Sequence, residues 1–140
     1  MTFNMYRCDL FDYADTHYLA HCVSADFALG AGIAVEFNRR FNMRAKLHSL
    51  PKECRQVGKA ILYDRVFNLI TKRRYFDKPI YPSIKNALLD MKEQCIYSGI
   101  TKLAMPKIGC GLDSLNWDVV CTMIQCIFKD TDIDIVVCYL

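Results

Sequence analysis

The chain has no run of 18 apolar residues, and its start, Met1-Thr2-Phe3-Asn4-Met5-Tyr6-Arg7, carries neither a basic leader nor an apolar stretch. Nothing in it therefore reads as a membrane span or a secretory signal. Six glycines and four prolines in 140 residues exclude a low-complexity or disordered chain. Only three histidines are present, and His17, His21 and His48 do not pair with cysteines at metal-ligand spacing. No two of the eight cysteines form a C-x-x-C pair, and most lie inside apolar runs. Buried free thiols in a reducing compartment are the expectation, with neither a metal nor a cofactor. That places the protein inside the cell, in cytoplasm or nucleus. The net charge of +3 suits a small anionic ligand as well as a nucleic acid and argues for neither alone.

Apolar residues make up 53% of the sequence and charged residues 24%, enough for one packed domain over residues 1–140. Alternation predicts a strand from Phe3 to Cys8, and a nearly continuous apolar run predicts another from His17 to Ser24. A helical pattern follows, ending near Phe41, then a short helix or turn from Met43 to Leu50, closed by Pro51. Strands at 59–63 and 66–71 read as a hairpin joined at Asp64-Arg65. A helix from Ser83 to Ser98 stops at Gly99, its inward stripe being Ile84, Ala87, Leu88, Met91, Cys95 and Ile96. A strand over 100–105 comes next, then a helix capped by Asn116 with Val119, Val120, Met123, Ile124, Ile127 and Phe128 inward, and a last strand from Ile133 to Tyr139. The pattern predicts an α/β fold in which helices cover both faces of a mixed sheet.

In such sheets ligands gather beyond the carboxyl ends of the strands. Those ends carry Asp9, Ser24, the loop over 28–34, Lys72, and the stretch Met105-Pro106-Lys107-Ile108-Gly109-Cys110-Gly111-Leu112-Asp113. Each has an ordinary reading. The last stretch can be a tight turn with a cap at Asp113 or Ser114, and Lys72-Arg73-Arg74 a solvated basic patch. Gly30 and Gly32 can serve only a tight turn, or can leave outward-facing N–H groups at a helix start as a phosphate cradle.

Taken together, Cys-Asp-Leu-Phe (8–11), Leu-Ala-His-Cys-Val-Ser (19–24), Gly-Ala-Gly-Ile-Ala (30–34), Leu-Ile-Thr-Lys (69–72) and the 105–113 stretch resemble the macro domain family. Within it they are most similar to the terminal ADP-ribose protein glycohydrolases, from about Tyr6 to Leu140. The resemblance implies a three-layer α/β/α fold on a central mixed, mostly parallel sheet, with ADP-ribose in a cleft above it. By position, Asp9 accepts from the adenine amino group and Leu10 offers backbone contact. Ser24, Gly30, Ala31, Gly32, Ile33 and Ala34 hold the diphosphate and distal ribose. Pro106, Ile108, Gly109, Cys110, Gly111 and Leu112 form the other wall. Lys72 becomes the nucleophile and Asp113 its acid/base partner.

The expected activity is release of mono-ADP-ribose from glutamate and aspartate side chains by a monomer, with O-acetyl-ADP-ribose and ADP-ribosylated DNA bases as further substrates. A non-catalytic ADP-ribose reader is the alternative, and retention of both Lys72 and Asp113 weighs against it. A generic α/β domain with a basic patch for nucleic acid is a third, weaker reading. Two departures stand out. The second strand lacks the paired asparagines of the other large hydrolytic branch, and Lys107 replaces an arginine usual among close relatives, keeping charge but losing the bidentate fork.

Overall fold

The computed structural model describes residues 1–140. Six strands form one sheet: β1 (Thr2–Arg7), β2 (Tyr18–Ser24), β3 (Ala60–Tyr63), β4 (Val66–Lys72), β5 (Lys102–Met105) and β6 (Asp134–Tyr139). Their order across the sheet is β1-β6-β5-β2-β4-β3. Every neighbouring pair is parallel except β3 with β4. Five strands therefore end on the same edge. The exception follows from the turn: Asp64 and Arg65 both have positive φ (50° and 65°), the backbone of a two-residue hairpin that matches strand twist.

Four helices cover the sheet: α1 (Ile33–Phe41), α2 (Met43–His48), α3 (Tyr81–Ser98) and α4 (Trp117–Phe128). Alternation along the buried strands feeds two cores. In β4, Phe67 and Leu69 pack with Ile84, Leu88, Met91, Val120 and Ile124 of α3 and α4. Val66 and Ile70, one residue out of phase, pack with Phe37, Met43 and Leu47 of α1 and α2. The result is the expected three-layer α/β/α fold with a mixed, mostly parallel sheet. No helix is long and apolar enough to cross a membrane.

Several expectations need correction. Ile96 and Val119, assigned to inward stripes, are 61% and 44% exposed. The core takes a narrower arc of each helix than the apolar pattern predicts. All eight cysteines are free, but only Cys95 and Cys138 are fully buried, and Cys54 and Cys126 are exposed. The segment after β1 is not a plain strand end. Asp9 caps a 3-10 turn over Leu10–Tyr13 by accepting from the Phe11 amide at 2.9 Å. Helix α3 begins at Tyr81, two residues before Ser83, because Pro82 sits in its first turn where no amide is needed.

Candidate active site

A cleft of about 430 Å³ opens at the C-terminal edge of the sheet. One wall is the loop from Leu29 into the start of α1, the other is the loop from Pro106 to Asp113, and Lys72 lies at the end of β4 between them. Lys72 reaches that position through an irregularity in the β2–β4 ladder. Val23 pairs with Ile70, but Ser24 pairs with Lys72, so Thr71 is the extra residue of a bulge. Bulges re-aim the side chains that follow them, and this one comes at the site.

The Lys72 ammonium donates to Asp113 Oδ1 at 2.7 Å, with the two side chains 15% and 19% exposed. An ion pair so sheltered is not a solvated surface pair of small consequence. Beneath it, Cys22 is half-buried at the floor of the cleft. Burial first, and then the Asp113 charge, push its thiol up to about 12, so it stays protonated and offers no nucleophile. Cys110 is also raised, by partial burial. Asp26 organises the far side: Oδ1 accepts from Ser24 Oγ and from the Ala28 amide at 3.2 Å, and Oδ2 accepts from the Tyr75 amide at 2.9 Å. Burial would raise its pKa, but these hydrogen bonds and the Lys72 charge bring the net shift below the usual carboxylate value.

The two glycine loops have different physical grounds. Gly32, at φ 60° and ψ −148°, occupies backbone space that side chains avoid, and it caps α1 without a side-chain acceptor. The first-turn amides of the nine-residue α1 are thus offered at the cleft wall, at the positive end of the helix dipole. Across the cleft, a Cβ on Gly32 would lie 3.6 Å from Leu112 Cδ1, so the two loops nearly touch. Gly109 (φ 74°) has no room at all: a Cβ there would stand 2.7 Å from Ile84 Cδ1 and 3.2 Å from Leu115 Cδ1. Gly111 faces open space. Asp113 is held by this compact loop, whose turns close through Ser114 N to Gly111 O (3.1 Å) and Leu115 N to Gly109 O (2.8 Å). The cap of α4 is Asn116, which accepts from the Asp118 and Val119 amides, so Asp113 is free for Lys72.

Of the residues singled out from sequence, Lys72, Asp113, Ser24, Gly30, Ala31, Gly32, Ile33, Ala34, Pro106, Ile108, Gly109, Gly111 and Leu112 line the cleft. Asp9, Leu10 and Cys110 do not. Leu10 is buried in the core, and Cys110 Sγ turns to the Ile108 carbonyl at 3.2 Å. Sequence reading missed Tyr75, Phe76 and Asp77, which follow β4 and form the rim beside Lys72. It also missed Arg44, whose guanidinium donates to the carbonyls of Ala28 (2.7 Å) and Leu29 (3.1 Å) and braces the loop before α1. Positive φ at Phe27 (51°) and Leu29 (46°) makes that loop strained without such support. The aromatic pair beginning three residues after a strand-end lysine is a usable signal, whereas Arg44 leaves none.

An α/β/α domain whose parallel strands deliver an amine–carboxylate pair into a glycine-walled cleft at a helix N-terminus defines a class: a nucleotide-type ligand site equipped for chemistry. No protein-family model matches the chain. It is 43% identical to human ADP-ribose glycohydrolase OARD1 over 130 residues, covering 92% of this chain and 86% of that protein. The bovine protein of the same name is 42% identical over the same length. The solved macrodomain of Mycobacterium tuberculosis DarG superposes with a TM-score of 0.89 at 25% identity, covering 99% of this chain and 98% of the other. Thermosipho africanus DarTG, solved in complex with ADP-ribose, has a TM-score of 0.86 at 19% identity over 99% of this chain and 41% of its own. The chain belongs to the macro domain family, in the branch of the OARD1 glycohydrolases.

Proposed function

We propose that the protein is an ADP-ribose glycohydrolase that releases mono-ADP-ribose from glutamate and aspartate side chains, with Lys72 as nucleophile and Asp113 as acid/base. The observation that carries this reading is the sheltered 2.7 Å contact between the Lys72 amine and Asp113 inside the cleft. A pure binding module has no need of such a pair, because the amides at the start of α1 already suit a diphosphate.

The chemistry runs in two displacements. With its proton passed to Asp113, the Lys72 amine uses its lone pair to form a bond to the anomeric carbon, and the bond from that carbon to the substrate carboxylate breaks with its electrons going to the carboxylate. Asp113 holds the ammonium-derived proton while the covalent adduct exists. Water then adds its hydroxyl to the anomeric carbon, the C–N pair returns to Nζ, and the remaining protons return to Lys72 and solvent. The diphosphate sits between the α1 amides and the 106–113 loop. Similarity to the OARD1 glycohydrolases at 43% identity supports the reaction class. O-acetyl-ADP-ribose and ADP-ribosylated DNA bases join the substrates through the same reacting carbon.

The test is release of ADP-ribose from a glutamate-modified peptide by the parent, by Lys72→Ala and Asp113→Ala proteins, and by the double variant carrying both changes. Loss of a positioned catalytic group costs about 10²- to 10⁴-fold. Asp113→Ala is expected to accumulate a covalent ADP-ribose adduct on Lys72, visible by intact mass. Full activity in the double variant, or an adduct mapped to another residue, overturns the assignment.

A further inference from the structure

The carrier, meaning the molecule attached to the anomeric carbon, leaves the cleft at the Lys72 end. A second depression lies there, lined by Ala25, Asp26, Arg55, Val57, Arg73 and Arg74. The two sites share a strand end: β4 finishes at Lys72 in the cleft, and the next two residues are arginines of the second site. They also share Asp26, which bonds Ser24 on the cleft side and the Tyr75 amide on the other.

The charge in this depression is not balanced from within. Asp26 is the one carboxylate lining it, against three arginines, and its oxygens are held by Ser24 and by the Ala28 and Tyr75 amides. Arg55 lies over the Phe27 ring at 5.0 Å and bonds His48 Nδ1 at 3.2 Å, neither of which neutralises it. Its Nε is buried with no partner. A buried guanidinium donor without an acceptor is costly and suits a ligand that brings one. Arg74 is partly matched by Asp77 at 3.4 Å and covers the Phe76 ring at 4.7 Å. No carboxylate of the protein pairs with Arg73 or Arg55.

On α1 and α2 the cations are already engaged. Arg39 and Arg40 pair with Glu36, Lys46 pairs with Asp64, and Arg44 is spent on carbonyls. Within the depression three arginines face one carboxylate, an excess the size of one or two carboxylates. A nucleic acid would call for a longer basic stripe. All three residues are arginine, whose planar fork matches a carboxylate in two hydrogen bonds.

Resting on the function proposed above, we infer that Arg55, Arg73 and Arg74 form a carrier subsite for acidic side chains of the peptide next to the ADP-ribosylated residue. The enzyme thereby selects modified glutamate or aspartate in an acidic sequence context. The contact is made by ground state and transition state alike, so it acts on KM more than on kcat.

Two peptides carrying one ADP-ribosyl-glutamate test this, one flanked by glutamates and the other by glutamines. Both are compared on the parent and on Arg73→Gln and Arg74→Gln proteins, whose changes fall on exposed side chains. The parent is expected to favour the acidic peptide by roughly three- to tenfold in kcat/KM, mainly through KM, with the preference shrinking as salt rises. Either variant is expected to bring that ratio toward one. Binding of the same peptides, read by fluorescence anisotropy, gives the ratio without turnover. Failure of hydrolysis with the binding preference intact therefore strikes the catalytic reading and not the subsite. Equal treatment of the two peptides by the parent overturns the inference. So does a preference that survives both substitutions, or a stronger arginine-dependent preference for an ADP-ribosylated oligonucleotide, which would name a nucleic acid as occupant.

Discussion

His21 sets an acid limit on the enzyme's stability. It is fully buried in β2, stacked on Phe37 with ring centroids 3.8 Å apart, and its Nε2 donates to Asn68 Oδ1 at 2.7 Å. The orientation of Asn68 is fixed because its Nδ2 donates to the Ile61 and Val66 carbonyls. Burial drives the His21 pKa down to about 4 from its ordinary 6.5, against a smaller upward pull from Asn68. The unfolded chain therefore binds a proton between pH 6.5 and 4 that the native state refuses, and stability falls as the pH falls through that window. At 1.36 kcal/mol per unit, acidifying from pH 7 to 5 costs about 2 kcal/mol. With a urea m-value of about 2 kcal/mol/M, the unfolding midpoint moves down by about 1 M. In His21→Leu the baseline drops, because Asn68 Oδ1 loses its donor, but this part of the pH dependence disappears. His17, also lowered chiefly by desolvation, is present in both proteins and cancels. The lowered Asp26 loses its contribution only further into acid. Urea titrations at pH 7 and 5 decide it: an equal midpoint shift in parent and His21→Leu refutes the reasoning.

Gly109→Ala forces a Cβ to within 2.7 Å of Ile84 Cδ1 at a φ of 74°, costing about 2–4 kcal/mol from overpacking and strain together. A fall in melting temperature with weaker ADP-ribose binding by calorimetry is expected, because the same loop carries Asp113. Gly111→Ala meets no atom within 4 Å and is expected to change the melting temperature little. Arg44→Ala removes two hydrogen bonds to the loop before α1. Faster amide exchange over residues 27–32, with weaker ADP-ribose binding, is the expected readout. Saturation with ADP-ribose at about 100 times its Kd is expected to add about 2.7 kcal/mol to the unfolding free energy, measured by urea titration with and without ligand.

Much of the fold was legible because its elements carry strong local signals. Gly99 at φ 68° ends α3, Asn116 caps α4, and Asp64-Arg65 turns the hairpin. Each is a short-range preference that tertiary structure had no reason to override. The sheet order was less legible. Placing β5 beside β2, and β6 between β1 and β5, depends on long-range pairing that periodicity does not encode. The 3-10 turn after β1 was hidden for a related reason. Asp9-Leu10-Phe11 continues an apolar strand pattern, and the Asp9 bond to the Phe11 amide, with the backbone bonds that follow it, bends it.

The site divides along the same line. Glycines, a strand-end lysine and a loop aspartate are visible as residue types, but their meaning lies in distances. Asp113 is an unremarkable turn acid until Gly109, with no space for a side chain, compacts the loop and brings the carboxylate 2.7 Å from Lys72. Lys72 itself opens a run of three basic residues that reads as a solvated patch. The bulge at Thr71 re-aims Lys72 into the cleft, and β4 ends at that residue, so Arg73 and Arg74 leave the strand and line the neighbouring depression. An irregular residue followed at once by the strand end thus divides a uniform basic run between the cleft and the depression beside it, the places to which the proposed chemistry and the proposed carrier subsite are assigned. Restoring regular pairing, by deleting Thr71, is expected to abolish hydrolysis and the acidic-peptide preference together. Loss of only one would mean that the bulge does not position both.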